Sequence, residues 1–503
     1  MGNQARLSVI VLFFACISWT QGGPISTPKA RLIVLADMGN EPDEQQQMVH
    51  MIMCSNEFEL EGLIAVTGKY LRPESRNSYK QVLHPELFVN IIDGYAKVVD
   101  NLKRHASGWH DPDYLKSIVA TGQKGYGIAD VGQGKTSPGS ELIIKVVAKG
   151  DPRPIWLVVN AGSNTLAQAL WDYRKNHSPT ELEEFVSKLR VFENGAQDNA
   201  GAWVCAHFPK IPWIRSNYQT YCYGGPSGDG GTDNRGRSNN LGPYTWEPYA
   251  YSGLGQHQWA MEHIKGNHGP LGTLWPIRQF VGGGISFLEG GGTIPWLGLV
   301  NKGLFDIDQP HWGGWSGRFS REKVENYWSK HSDIKADEKK VAPFAVYKEE
   351  ADEWIDPDTG KKYNDIFTPV WRWRRAFYND FICRMDWCVK SYGESNHHPV
   401  AAFAGDRTDT IVHLRAHPGQ VLALDASAST DPDGDKMEIL WWIYKEAGTY
   451  SDDVDISSPR EPKATIAIPG NAAGAQIHVI LEVKDKSVIA SLYDYRRIVI
   501  DVV

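Results

Sequence analysis

The sequence from residue 31 to residue 45 reads Arg31-Leu-Ile-Val-Leu-Ala-Asp37-Met-Gly-Asn40-Glu41-Pro-Asp43-Glu44-Gln45. A short apolar run bounded by loop residues is typical of a buried strand. Carboxylate and amide side chains then crowd the loop, and an amphipathic pattern predicts a helix over 43–55. The stretch therefore predicts a strand, an acidic loop and a helix, which is the repeating unit of an α/β fold.

The acidic loop has two interpretations. Anions this close repel each other, and a helix N-terminus offsets only about 0.3–1 kcal/mol per carboxylate. A divalent cation would offset more, and crowding would also drive the pKa values of the carboxyl groups apart, as a general base requires. The alternative is an ordinary N-cap followed by an acidic first helical turn.

Beyond this unit, apolar strand-like runs alternate with amphipathic helices. We predict strands at 31–36, 60–67, 155–159, 189–192 and 213–215, and further helices at 138–147 and 164–171. Strands that recur between helices predict an open parallel sheet with helices on both faces. Such sheets bind ligands at the carboxyl ends of their strands.

After Val400 the pattern changes to short strands separated by turns, which predicts an all-β sandwich. The segment Asp425-Ala-Ser-Ala-Ser-Thr-Asp-Pro-Asp-Gly-Asp435, followed by Trp441, resembles the signature of PKD and related immunoglobulin-like modules. Its carboxylates either bind Ca²⁺ or stabilise their own turn through side-chain hydrogen bonds. We expect a signal peptide at 1–24, an α/β domain at 28–320, a helical bridge and linker at 321–395 and the sandwich at 396–503.

The N-terminal segment has one arginine, an apolar run and small residues, which is typical of a secretory signal peptide. We therefore expect a secreted or periplasmic protein with no membrane association after cleavage. The 503 residues carry a net charge of −8 without a basic run, so nucleic acid is not an expected partner. The five cysteines beyond the signal do not form a disulfide framework, and pairing of Cys205 with Cys222 stays open.

Motifs throughout the chain resemble a known family. Asp37 with Asp43-Glu44 looks like the DxxxDD segment of nucleoside hydrolases with two residues inserted, and the match to the secreted Sde182-like nucleoside hydrolase-like family is closer. The resemblance runs from about Arg31 to the C terminus and rests on several segments. These are Asn40-Glu-Pro-Asp43, Ser55-Asn-Glu-Phe58, Glu61-Gly-Leu-Ile-Ala65, Ser137-Pro-Gly-Ser-Glu141, Gln197-Asp-Asn-Ala-Gly201, His268-Gly-Pro-Leu-Gly272, Trp312-Gly-Gly-Trp315, Arg384-Met-Asp-Trp-Cys388 and Glu446-Ala-Gly-Thr-Tyr450.

The resemblance implies a nucleoside hydrolase-like sheet with a hydrolase-type site. It implies that Asp37 is the base and, with Glu44, a ligand for Ca²⁺, and that Asp43 is a further catalytic carboxylate. The substrate-binding positions it implies are Asn40, Glu41, Asn160, Gln197, Asp198 and Asn199.

The sequence also departs from that family at three positions. Glu44 replaces the usual second aspartate, Thr67 or Lys69 stands where an asparagine is usual, and the expected late aspartate falls on Gly292. Ca²⁺ is therefore one alternative and a metal-free site the other. The glycine-rich segments lack phosphate-loop and dinucleotide spacing, so no nucleotide cofactor is expected.

Two functions follow. The first is a secreted hydrolase of glycosidic bonds in polysaccharide-derived carbohydrate, with Asp37 or Asp43 as base and His268 or Glu289 as proton donor. The second is a non-catalytic carbohydrate (cellulose)-binding protein on a degenerate nucleoside hydrolase scaffold. Tryptophans near the glycine-rich loops either stack on sugar or belong to the core; they are Trp203, Trp246, Trp275, Trp296, Trp312 and Trp315.

Overall fold

The computed structural model describes residues 28–224, 256–277, 288, 291–300, 303–357 and 359–503. Strands and helices alternate through the first of these ranges. The strands are β1 (Ala30–Ala36), β2 (Phe58–Ala65), β3 (Val119–Thr121), β4 (Ile155–Val159), β5 (Leu189–Asn194) and β6 (Trp213–Ser216). The helices are α1 (Asp43–Met53), α2 (Glu86–Ala96), α3 (Val99–His105), α4 (Pro112–Ser117), α5 (Pro138–Val147), α6 (Ser163–Asn176), α7 (Pro179–Ser187) and α8 (Ala200–His207).

The six strands form one parallel sheet in the order β3-β2-β1-β4-β5-β6. The chain adds strands outward from β1 on one side and then outward from β4 on the other. The topological switch therefore lies between β1 and β4, and in open α/β sheets ligands bind at the carboxyl edge of that switch.

Alternate side chains of each strand enter different cores. Leu32 and Val34 of β1 pack beneath α1, α2 and a later helix, whereas Ile33 and Leu35 pack against α5, α6 and α8. Side chains of a strand alternate between the two faces of its sheet, and both faces of a parallel sheet are expected to be buried. The predicted open parallel sheet with helices on both faces is confirmed.

The chain between the sheet and the C-terminal strands contains both helices and short strands. The helices are α9 (Gln256–Ala260), α10 (Gly269–Thr273), α11 (Ile294–Leu297), α12 (Ser332–Glu338), α13 (Thr368–Trp371) and α14 (Arg374–Asp386). The strands are β7 (Val324–Glu325), β8 (Ala345–Val346), β9 (Asp352–Ile355) and β10 (Lys362–Asp365). Besides the helices predicted for 321–395, this segment therefore carries the antiparallel pairs β7-β8 and β9-β10.

The C-terminal part is the predicted β-sandwich. Its strands are β11 (Val412–Ala416), β12 (Val421–Asp425), β13 (Met437–Ile443), β14 (Ile456–Ser457), β15 (Lys463–Ala467), β16 (Gln476–Asp485) and β17 (Tyr493–Val502). One sheet has the order β11-β17-β16-β13 and the other β12-β15-β14. Trp441, Val479 and Ile466 meet in the core between them.

The aspartate-rich turn of the sandwich uses its carboxylates internally. Oδ1 of Asp431 accepts the backbone N–H groups of Asp433 and Asp435, both at 2.9 Å. The Asp433 carboxylate accepts the backbone N–H of His397 at 2.7 Å. These contacts favour the self-stabilised turn over a calcium site.

All five described cysteines are free and buried, so the open pairing of Cys205 with Cys222 is not formed. Within the described ranges, none of the helices combines the length and apolar character that crossing a membrane requires. The segment predicted as a signal peptide lies outside the described residues.

Candidate functional site at the carboxyl edge of the parallel sheet

The switch point brings Asp37 and Asn160 together. Asp37 follows β1 and Asn160 follows β4, and these strands pair in parallel with Leu35 opposite Val159. The Asn160 backbone N–H donates to the Leu35 carbonyl at 3.0 Å, which extends the ladder to the site. Helix α1 starts at this edge and places Asp43 and Glu44 in its first turn.

Two amides hold the Glu44 carboxylate. Oε2 of Glu44 accepts from Nε2 of Gln47 at 3.1 Å and from Nδ2 of Asn160 at 3.2 Å. Beside it, the Asp37 side chain is buried, and its Oδ2 atom has no hydrogen-bond partner. Oδ1 of Asn160 is likewise buried without a partner. Buried polar atoms are normally hydrogen-bonded, so these two oxygens indicate a place for a ligand or water.

Burial and mutual repulsion keep protons on this cluster. Desolvation, followed by the negative charge of Asp43, raises the pKa of Asp37 to about 8. Desolvation, with Asp43 and Asp37, raises the pKa of Glu44 well above its usual range. Asp37 is therefore mostly protonated at neutral pH, which suits a hydrogen-bond or proton donor better than the base expected from sequence.

Two exposed tyrosines stand beside the acidic loop. Tyr70 and Tyr79 are each 49% exposed, and Tyr79 stacks on His84 with ring centroids 3.9 Å apart. Burial and the charge of Glu41 raise the pKa of Tyr70, which places its ring close to that carboxylate. Nζ of Lys80 donates to Oδ1 of Asn40 at 2.8 Å. The loop thus has aromatic faces at its rim, which the sequence patterns did not single out.

Position 292 lies at the site, as the family resemblance implies, but it carries no side chain. A Cβ atom on Gly292 would stand 2.4 Å from Nδ2 of Asn160 and 3.2 Å from Cδ of Gln47. Its neighbour Thr293 has a buried hydroxyl without a partner. The amide of Asn160 thus fills the space that a late carboxylate would use.

The donor set does not fit the calcium site that the resemblance implies. In the described ranges, the oxygens of Asp37, Asp43 and Glu44 do not converge within 4.8 Å of one another, which three ligands of one ion would do. The one group in those ranges that does converge is His50, Cys54 and Asp380. Asp380 is already bound by Arg384 at 2.8 Å and by His398 at 2.7 Å.

The Asp198 carboxylate bonds to the N-terminal turns of two helices. Its carboxylate accepts hydrogen bonds from the Ser163 hydroxyl, from the Asn164 backbone N–H at 3.2 Å and from the Ala200 backbone N–H at 2.9 Å. Those groups are the first turns of α6 and α8. The substrate-binding role expected for Asp198 would have to compete with these three bonds.

Two neighbours of Asp198 have different surroundings. Oδ1 of Asn199 accepts the Ile128 backbone N–H at 2.8 Å. Oε1 of Gln197 is buried without a partner, so Gln197 still has an acceptor to offer.

The predicted proton donors are not brought to Asp37 by the described chain. His268 precedes α10, and its Nε2 lies 3.2 Å from Oδ1 of Asp386 on α14. The next residue, Gly269, would place a Cβ 3.6 Å from Val98, beyond the C-terminal end of α2, whereas His84 at the opposite end of α2 packs on Gly39. An 11-residue helix is roughly 16 Å long, so His268 is remote from the acidic loop. Glu289 lies outside the described residues.

Lys330 is a further candidate at the same edge. Its Nζ lies 3.4 Å from the ring centroid of Tyr221, and a Cβ on Gly195, just after β5, would stand 3.8 Å from its side chain. Desolvation lowers the pKa of Lys330 to about 7. Sequence reasoning missed this lysine because it lies in a segment without a motif.

Most of the tryptophans considered for sugar stacking belong to the core. Trp275, Trp296, Trp312 and Trp315 are all buried, and Trp203 packs on His207 of α8 at 4.4 Å. The stacking interpretation is therefore wrong for the four buried rings. Trp246 lies outside the described residues.

The chain matches two family models. The first, described as "Cellulose-binding Sde182, nucleoside hydrolase-like domain", covers residues 31–319. The second, described as "Cellulose-binding protein Sde0182, C-terminal domain", covers residues 421–502. No curated protein matches the chain.

A similar solved structure spans nearly the whole chain. It is a nucleoside hydrolase-related hypothetical protein from Saccharophagus degradans that is associated with carbohydrate metabolism. The identity is 34%, the TM-score is 0.78, and the match covers 94% of this chain and 100% of that one. An endo-β-1,4-mannanase from Thermotoga petrophila has 9% identity and a TM-score of 0.16, too low to bear on the fold. The chain belongs to the family of cellulose-binding Sde182, with its nucleoside hydrolase-like domain followed by its C-terminal domain.

Proposed function

We propose that the protein binds a neutral β-linked glucan, such as a chain of cellulose, at the carboxyl edge between β1 and β4. The observation that carries the proposal is a set of three buried polar atoms without partners at that edge. They are Oδ2 of Asp37, Oδ1 of Asn160 and Oγ1 of Thr293. Sugar hydroxyls both donate and accept hydrogen bonds, so they can satisfy all three.

The surroundings of these atoms favour an uncharged ligand. Asp37 and Glu44 have raised pKa values because they are buried next to other carboxyl groups, and an anionic ligand would add to that repulsion. Tyr70 and Tyr79 offer exposed rings beside the loop, and aromatic faces pack well on the apolar faces of sugars. The cellulose-binding description of the matched family agrees with this ligand class.

Hydrolysis is the second candidate, favoured by one observation. Asp37 has a pKa of about 8 while Asp43 lies close enough to raise it, and glycosidases use one protonated and one ionised carboxyl group. In that case Asp37 would protonate the leaving oxygen and Asp43 would direct water. Binding is favoured over hydrolysis because Gly292 stands where a late carboxylate would act and His268 is bonded to Asp386.

The test is calorimetric titration with cellotriose, with chromatography of the same samples for products. We expect wild type to bind without forming products. Asp37→Ala and Thr293→Val should each lower affinity at the edge by about tenfold, since each removes a partner for a ligand hydroxyl. Asp100→Ala is the matched control, because that carboxylate is 93% exposed on α3.

The outcomes separate the two functions. Products formed by wild type but not by Asp37→Asn, which still binds, would establish the hydrolase instead. Unchanged affinity in both Asp37→Ala and Thr293→Val would reject the edge as the binding site.

A further inference from the structure

A polar and aromatic cavity lies far along the chain from the acidic loop. It has a volume of about 440 Å³ and is walled by the outer face of the larger sandwich sheet and by β9 and the α13–α14 junction. Small-molecule sites have volumes of roughly 300–1,000 Å³. The cavity is therefore large enough for one or two sugar rings.

The strand register determines which side chains face this cavity. Leu481 and Val483 of β16 point into the sandwich core, so Glu482 points to the opposite face. Glu482 stands opposite Leu440 of β13 and Tyr495 of β17, and all three line the cavity. The ladder thus fixes a carboxyl group on the floor of the cavity.

Two of the cations around the floor are bonded to other carboxyl groups. Arg372 donates to Asp352 at 3.1 Å, and Lys484 pairs with Glu438 at 2.7 Å. In contrast, no hydrogen bond or ion pair joins the Glu482 carboxyl group to another side chain of the described chain. Desolvation raises the pKa of Glu482 to about 7, although the charges of Lys484, Arg372 and Arg460 oppose that rise.

Aromatic rings complete the walls. Trp354 and Trp442 are both only half-buried, and both line the cavity. The guanidinium of Arg372 lies 4.6 Å from the Trp442 ring centroid, which fixes that ring in place. Exposed Ile355 and Pro357 form part of the rim, so the cavity opens to solvent.

We propose that this cavity is a second carbohydrate site, which binds a neutral hexose unit through Glu482 and the rings of Trp354 and Trp442. A carboxyl group that accepts from sugar hydroxyls, flanked by rings that cover the sugar's apolar faces, matches the amphipathic surface of a hexose. The inference rests on the proposed function only for the ligand class, and a long glucan could engage both sites of one molecule.

Calorimetric titration of the full chain with cellotriose tests the proposal. We expect two binding sites per molecule in wild type and one in Glu482→Ala. Trp354→Ala should weaken the same site by about tenfold. Asp501→Asn is the matched control, because Asp501 lies on β17 of the same sheet but is bonded to Gln476 at 3.0 Å, outside the cavity.

The titrations distinguish the cavity from the edge as binding sites. The proposal is overturned if wild type does not bind cellotriose, or if both cavity variants titrate as wild type does. If Glu482→Ala loses a site while Asp37→Ala titrates as wild type, the cavity binds the sugar and the edge does not. Melting temperatures of the variants show whether a lost site reflects lost folding. If Glu482→Ala does not fold, the cellotriose titration of Trp354→Ala tests the cavity by itself.

Discussion

Asp37 shows how one carboxyl group acquires its properties from its neighbours. The backbone places it at the end of β1, the fold buries it, and α1 brings Asp43 beside it. Gly68 makes room, since a Cβ there would stand 2.5 Å from Oδ2 of Asp37. Its protonation state therefore depends on the tertiary fold.

The raised pKa of Asp37 predicts a pH-dependent cost to stability. The pKa rises from 3.8 to about 8 on folding, so the folded chain binds the proton more tightly than the unfolded chain. Stability from this group is present below pH 4 and is lost as the pH rises towards 8. Asp37→Asn should therefore raise the free energy of unfolding at pH 8 by on the order of 1–3 kcal/mol, with the gain vanishing near pH 4.

Chemical denaturation at several pH values measures this effect. Asp100→Asn serves as control, because its exposed carboxylate should give no pH-dependent difference. A gain for Asp37→Asn that is equal at pH 4 and pH 8 would contradict the prediction.

Helices α6 and α8 share a single carboxylate at their N-termini. Asp198 accepts two hydrogen bonds from the first turn of α6 and one from that of α8. We expect Asp198→Ala to lower the free energy of unfolding by about 2–4 kcal/mol, because it leaves three buried donors unsatisfied. Ser178→Ala, which removes an exposed cap from α7, should cost only about 1 kcal/mol. Thermal melts compare the two, and equal costs would show that Asp198 has no shared capping role.

Periodic elements could be predicted from sequence because their signals are local. Helix α5 runs over the predicted 138–147, and the position of Asp37 beside Asn160 follows from the parallel-sheet rule. Strand β11 has no such signal, because its residues Val412–Ala416 mix polar and apolar side chains without a long apolar run.

The role of an individual side chain could not be predicted from such local signals. Asp198 was expected to bind substrate, but only the fold shows that two helices use its oxygens. The sequence does not show whether a tryptophan lies in the core, as Trp296 does, or lines a cavity, as Trp442 does. Lys330 approaches Tyr221 from more than 100 positions away in sequence, so no local pattern marks it.

The two halves of the molecule are joined by buried polar contacts. Arg497 of β17 donates to the carbonyls of Leu304, Trp312 and Gly313 at 2.8–3.0 Å. Such contacts couple the sandwich to the nucleoside hydrolase-like part. The walls of the cavity likewise come from two parts of the chain, the sandwich and the bridging segment.

Asp352 provides the strongest test of this coupling. It is buried and accepts from Arg318 at 2.6 Å, from Arg372 at 3.1 Å and from the Tyr444 hydroxyl at 2.6 Å. Asp352→Ala would leave two buried guanidinium groups without their carboxylate. We expect it to lower the free energy of unfolding by about 3–5 kcal/mol.

The same substitution should weaken cellotriose binding in the cavity, because Arg372 holds the Trp442 ring from its place beside Asp352. Glu353→Ala is the matched neighbour, since Glu353 pairs with Lys362 at the surface and its loss should cost less than about 1 kcal/mol. Calorimetric melts and titrations of both variants measure stability and binding together. If Asp352→Ala melts and binds as Glu353→Ala does, the buried cluster neither couples the two halves nor supports the cavity.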